Sequence, residues 1–103
     1  MSTVLQSEIV ARHAEIAEIC LSLGVRRLHL FGSGTRSASP RDLDFLVDLG
    51  DRLVAEHVSA YFALLERLQA LFGRPIDLVT PGGLDNPYYR RRVEQEKALL
   101  YAA

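Results

Sequence analysis

The 103-residue chain has the length of a single domain, residues 1–103, and its 49% hydrophobic and 24% charged residues exclude a disordered or low-complexity chain. Lys+Arg 12 against Asp+Glu 13 leaves a formal net charge of -1, without the basic excess of a protein that grips nucleic acid through its phosphates, so no direct nucleic-acid binding is expected. A lone cysteine, Cys20, cannot close an internal disulfide, no charged-then-apolar leader is visible, and no apolar run reaches the ~20 residues that span a bilayer, so the expectation is a cytoplasmic protein with no membrane partner.

From Ser2 to Leu23, the residues Leu5, Ile9, Ile16, Ile19, Cys20 and Leu23 share one arc at helical spacing, with Glu8, Glu15, Glu18 and Ser22 outside it. One amphipathic helix is predicted, with Ser2 as its N-cap and Gly24 as its left-handed stop. Val25 to Phe31 reads as a short strand covered on both faces, because its apolar residues fall on both parities.

Gly32 to Arg41, with two Gly, three Ser, a Thr and a Pro, is a loop. Leu43, Phe45, Val47 and Leu49 then alternate with Asp42, Asp44, Leu46 and Asp48, a period-2 strand with one apolar and one largely acidic face. Val54, Val58, Tyr61, Leu65, Leu68 and Phe72 predict a second amphipathic helix that Gly73 and Pro75 end. "PIDLVT", residues 75 to 80, is a third strand whose one charge is Asp77; "PGGLDNP" is a turn; residues 88 to 100 predict a final helix with Val93 and Leu100 or Leu99 inward. The predicted order is α-β-β-α-β-α, an α+β fold with a mixed three- to four-stranded sheet and helices packed on it.

Asp42 and Asp44, at i and i+2 of one strand, point the same way about 7 Å apart. If Asp77 faces with them from a neighbouring strand, three hard oxygen ligands converge where Mg²⁺, completed by water and phosphate oxygens, can bind. The loop suits the same chemistry: Gly32 lets the backbone approach a ligand, Ser33 and Thr35 offer hydroxyls, and Arg36 offers a phosphate-binding guanidinium. A hairpin-like return from Gly32-Ser33 to Asp42 would keep cradle and acids together. Asp48 shares the parity but lies farther along and reads as a solvent-facing acid. "GSGTRS" also partly matches the dinucleotide fingerprint, but Pro40 and the strand from Leu43 leave no room for the helix that it requires, and no Lys follows to make a phosphate-binding P-loop. His13, His29 and His57 have no metal-like spacing and read, with Cys20, as packing or surface residues.

"LFGS", "DLDFLVDL" and "GRPIDLVTP" together resemble the minimal nucleotidyltransferases of the DNA polymerase beta superfamily, over most of the chain. The resemblance implies transfer of AMP from ATP with two Mg²⁺ ions: Asp42, Asp44 and Asp77 as catalytic and metal-binding residues, Gly32, Ser33, Thr35 and Arg36 as nucleotide-binding residues. It also implies an antitoxin that modifies a hydroxyl, a tyrosine in the first instance, of a HEPN-type toxin protein, and that forms hetero-oligomers with it or homo-oligomers. Tyr88, Tyr89 and Arg90 to Arg92 are candidate contact surface for that partner. The loop is shorter than in many relatives, and Arg41 stands where a small residue is common. Two other readings therefore follow: an inactive antitoxin that neutralises by binding, and a regulatory nucleotide-binding module.

Overall fold

A computed structural model describes residues 7–32 and 41–103. Ser2 and Leu5 of the predicted first helix, and Ser33, Thr35 and Arg36 of the predicted phosphate cradle, lie outside the described residues. The element order is α1 (Ser7–Ala11), α2 (His13–Leu23), β1 (Arg27–Phe31), β2 (Leu43–Asp48), α3 (Val54–Phe72), β3 (Ile76–Val79), a 3-10 turn (Pro81–Gly83), α4 (Pro87–Glu96) and β4 (Ala98–Ala102). The four strands form one mixed sheet in the order β3-β2-β1-β4, with β2 parallel to β3 and both other pairs antiparallel. This is the predicted α+β class.

Alternation along β2 decides the layering. Leu43, Phe45 and Val47 enter the main core with Leu28 and Leu30 of β1, Ile16, Ile19 and Cys20 of α2, and Leu64, Leu68 and Phe72 of α3. Phe45 and Phe72 stack there with ring centroids 6.1 Å apart. The opposite face is covered only in part, by α4 and the turn before it, through a small cluster of Phe31, Leu46, Leu84 and Val93. Tyr61 of α3 donates its hydroxyl to the Leu78 carbonyl and so ties the helix to strand β3.

Three predictions are corrected. The first helix is two, because the chain turns at Arg12 (φ -98, ψ 9), whose N–H is shared between the carbonyls of Glu8 and Ile9. Apolar periodicity does not register this step, since Ile9 and Ile16 are both buried on either side of it. The C-terminal stop is as read: Gly24 (φ 68) donates to Leu21 and Val25 to Cys20, a Schellman pair.

The final helix ends at Glu96, and residues predicted to continue it form β4 on the free side of β1. Leu100 is inward, but as a strand residue: Leu28 faces Tyr101 and His29 faces Leu99, so Leu100 is the extra residue of a bulge, and His13 Nε2 donates to its carbonyl (3.1 Å). Leu99 is exposed. In α3 the core stripe is Ala60, Leu64, Leu68 and Phe72, while Val54 and Val58, predicted inward, are 81% and 48% exposed. The first turns of α3 lie beside the turns at Gly24 and Gly50, past the ends of α2 and β2.

Burial explains the single thiol. Cys20 is inside the main core, and desolvation pushes its pKa up to about 12, so the thiolate that reacts with disulfide reagents is not formed. The folded protein is expected to leave Cys20 untouched by such a reagent at mildly alkaline pH and to react in denaturant. Rapid reaction of the native protein would show that the α2–sheet interface opens readily.

Candidate functional site

β1 runs toward Gly32 and β2 returns from Asp42, so the hairpin brings the end of the loop back beside its beginning. Phe31 faces Asp44 in the antiparallel register, and Asp44 faces Asp77 in the parallel register of β2 and β3. Residues paired in register share a face, which here is the face opposite the main core. Two carboxylates therefore stand side by side on adjacent strands, at the roughly 4.8 Å spacing of a sheet. Asp42 lies at the mouth of β2 on the same parity and is exposed, as is Asp77; Asp44 is half-buried.

Gly32 is fitted to this arrangement. It has φ +69, and a Cβ added there would stand 2.5 Å from Asp44 Oδ2, so the loop can pass over the carboxylate only as bare backbone. Asp48 is used locally, its Oδ1 accepting the Gly50 N–H at 2.8 Å. It belongs to a turn at the far end of β2.

Among the described residues, no three His, Cys, Asp or Glu side chains come close enough to hold a metal ion by themselves. Asp44 and Asp77 are brought together, and Asp42 stands one pleat away. That donor set does not fit zinc, which takes nitrogen and sulfur ligands, nor a calcium cage of six to eight oxygens. It does fit Mg²⁺, which keeps several waters and takes one or two carboxylates together with substrate phosphate oxygens.

α4 builds the opposite wall, and its orientation is written in "NPYY". Asn86 caps the helix by accepting the N–H groups of Tyr88 (2.9 Å) and Tyr89 (3.2 Å), Pro87 occupies the first turn, and Arg90 Nε donates to the Leu84 carbonyl at 2.9 Å. Val93 anchors the helix in the small cluster, so Tyr89, Arg92 and Glu96, at spacings of three and four, come to the same side. They close a cavity of about 230 Å³ with Phe31, Gly32 and Asp44. Arg92 Nη2 lies 3.8 Å from Glu96 Oε2, a loose pair of an exposed guanidinium with a half-buried carboxylate.

Tyr89 reports on the acids across the cavity. Its ring meets Phe31 edge-on, centroids 6.2 Å apart, and its phenol is held above the ordinary tyrosine range by burial first, then by the charges of Asp77 and Asp44. One phenol thus senses both carboxylates. From the sequence, Tyr89 is a candidate partner contact, Arg92 a candidate partner or phosphate contact on a solvated helix face, and Glu96 is not singled out; the available signal is that 89, 92, 93 and 96 share one helical face with an apolar member.

The remaining titratable candidates lie elsewhere. His29 is on the same sheet face, but it is held below its ordinary pKa by burial and by Lys97, near the C-terminal end of α4. A larger open groove, of about 880 Å³, lies beyond the other end of β1 and β2, between α2 and α3. Its Arg52 guanidinium is occupied by the carbonyls of Leu49, Leu23 and Gly24. Among the described residues no helix is long and apolar enough to cross a membrane.

No family model matches the chain. Over 91% of its length it is 29% identical to a Methanocaldococcus jannaschii protein named "Putative protein adenylyltransferase", 91% of which is covered. A solved structure described as a "putative minimal nucleotidyltransferase" aligns with a TM-score of 0.63 and 28% identity, over 95% of this chain and 98% of that one. A chain from the complex of the tri-AMPylated Shewanella oneidensis HEPN toxin with MNT antitoxin aligns with a TM-score of 0.64 over 92% of this chain and 73% of that one. At 18% identity, that last likeness is one of fold.

Proposed function

We propose that this chain, a nucleotidyltransferase by its fold and its relatives, transfers AMP from ATP to a tyrosine hydroxyl of a HEPN-type toxin protein and thereby acts as its antitoxin. The observation that carries this reading is the registered pair Asp44–Asp77 with Gly32 passing over it. Asp42, Asp44 and Asp77 would hold Mg²⁺, which supplies neutralisation of the phosphate charge that grows as the bond to the leaving group breaks.

The chain's own residues account for the rest. Gly32 leaves backbone room at the head of the loop, where Ser33, Thr35 and Arg36 would hold the β- and γ-phosphates; these three belong to the reading of the sequence, not to the described residues. Arg92, exposed at the cavity rim and only loosely paired with Glu96, is placed to take a further phosphate oxygen. Asp77, exposed on β3, is the carboxylate to which an incoming hydroxyl gives its proton, while Asp44 lies deeper.

Incubating the chain with Mg-ATP and a HEPN-type toxin protein that it binds is expected to add AMP to a tyrosine of that partner, read by mass spectrometry. An unmodified partner at saturating nucleotide, still bound to the chain, would overturn the reading. A second reading, neutralisation by binding alone, is favoured by one observation: the acids do not close into a three-ligand group among the described residues. It requires that the double variant Asp42→Asn, Asp44→Asn still protect cells from the partner.

A further inference from the structure

The site contains a candidate acceptor of its own. The chain has four tyrosines, and they are placed very differently. Tyr61 commits its hydroxyl to the Leu78 carbonyl, Tyr88 is 78% exposed to solvent, and Tyr101 packs against the main core. Tyr89 alone lines the cavity that Asp44 and Gly32 also line.

Its position is fixed from three sides: by the Asn86 cap on its N–H, by the edge contact with Phe31, and by Val93 one turn on, which anchors α4. A phenol held in this way needs no collision with another molecule to meet a nucleotide bound at the acids, the condition under which transfer within a chain outruns transfer to a molecule free in solution. We propose that Tyr89 is a site of self-modification, receiving AMP from an ATP bound in the same chain.

The proposal rests on the nucleotidyltransferase reading above and extends it to an acceptor within the protein. In the step, Tyr89 Oη forms a bond to the α-phosphorus of ATP. The bond from that phosphorus to the oxygen bridging to the β-phosphate breaks, pyrophosphate leaves with the electron pair, and the phenolic proton passes through water to Asp77, the base named above. The product carries its AMP from the wall of a cavity of about 230 Å³, the space in front of Asp44. A modified chain thus carries one AMP in the space that a second nucleotide would use, so self-modification competes with transfer to a docked partner and prevails when the chain stands alone.

The test uses the purified full chain with Mg-ATP and no partner, followed by intact mass measurement and peptide sequencing. One AMP is expected, on the peptide that contains Tyr89, and the modified fraction should no longer bind a non-hydrolysable ATP analogue in calorimetry. Tyr89→Phe, which keeps the ring against Phe31 and therefore the fold, should reduce the label to background. A mixture of Tyr89→Phe with Asp44→Asn separates attack within a chain from attack between chains: each variant lacks one component, and no label is expected. Label in the mixture, AMP on Tyr88 or another residue, or a chain that modifies its partner but never itself would overturn the proposal. If the partner stays unmodified while Tyr89 is labelled, only the toxin reading fails; no AMP on either protein overturns both.

Discussion

Asp44→Asn is expected to lower AMP transfer by on the order of 10³-fold while leaving the protein folded. Asp44 is the half-buried member of the acidic pair and faces both Asp77 and Phe31, so it is the carboxylate that sets the charge at the floor of the cavity. The amide has the same shape but no charge, so it would lose hold of a divalent ion and of the phosphate that the ion neutralises. A second effect acts on stability. Like charges directly opposite in a sheet cost roughly 0.2–1 kcal/mol, and the variant relieves that repulsion. Transfer to the partner at saturating Mg-ATP, beside a thermal melt of the same preparation, separates the two effects. A variant that keeps transfer within about tenfold of the wild type would remove Asp44 from the chemistry.

Gly32→Ala should damage both the fold and the reaction. A left-handed backbone costs a residue with a Cβ about 1–2 kcal/mol, and here the new methyl would also meet Asp44 Oδ2 at 2.5 Å. In a domain of this size each kcal/mol lowers the melting temperature by about 4–8 °C, so a drop of roughly ten degrees is expected. The carboxylate must move to make room, and a displacement of about 1 Å at a reacting centre costs on the order of 10²-fold in rate. Gly73→Ala supplies the control, since Gly73 has nearly the same conformation (φ 62) with nothing within 4 Å of an added Cβ. It should lose stability alone. If both alanine variants lose transfer equally, proximity to Asp44 is not what Gly32 contributes.

The placement of the acids was legible because it depends on two short-range rules. Alternation put Asp42 and Asp44 on the face that the core does not use, and a return from Gly32 to Asp42 made the two strands neighbours. Asp77 enters the sequence reading only on the condition that a neighbouring strand gives it the same facing; the parallel register that sets it opposite Asp44 is a tertiary fact. What stayed hidden was decided by partners distant in sequence. Residues 98 to 102 have weak alternation and continue a helical pattern; they become a strand because β1 offers an unpaired edge. Val54 and Val58 keep helical spacing with Leu68 and Phe72 of the core stripe, yet both are exposed, and spacing alone does not show where along the helix burial begins. The bend at Arg12 leaves the burial of Ile9 and Ile16 intact, so hydrophobicity holds no record of it. Tyr89, Arg92 and Glu96 were visible as a helical face, but nothing in the sequence says which sheet residues that face meets.

β3 is four residues long and lies at the rim of the sheet, one neighbour short of full pairing. Such a rim invites strand addition by another copy, and a charge placed on it is a common deterrent. Asp77 is the charge that β3 carries, and it is exposed. The same carboxylate is therefore expected to serve two ends, and a neutral residue in its place should favour association of chains through β3 as well as slow turnover.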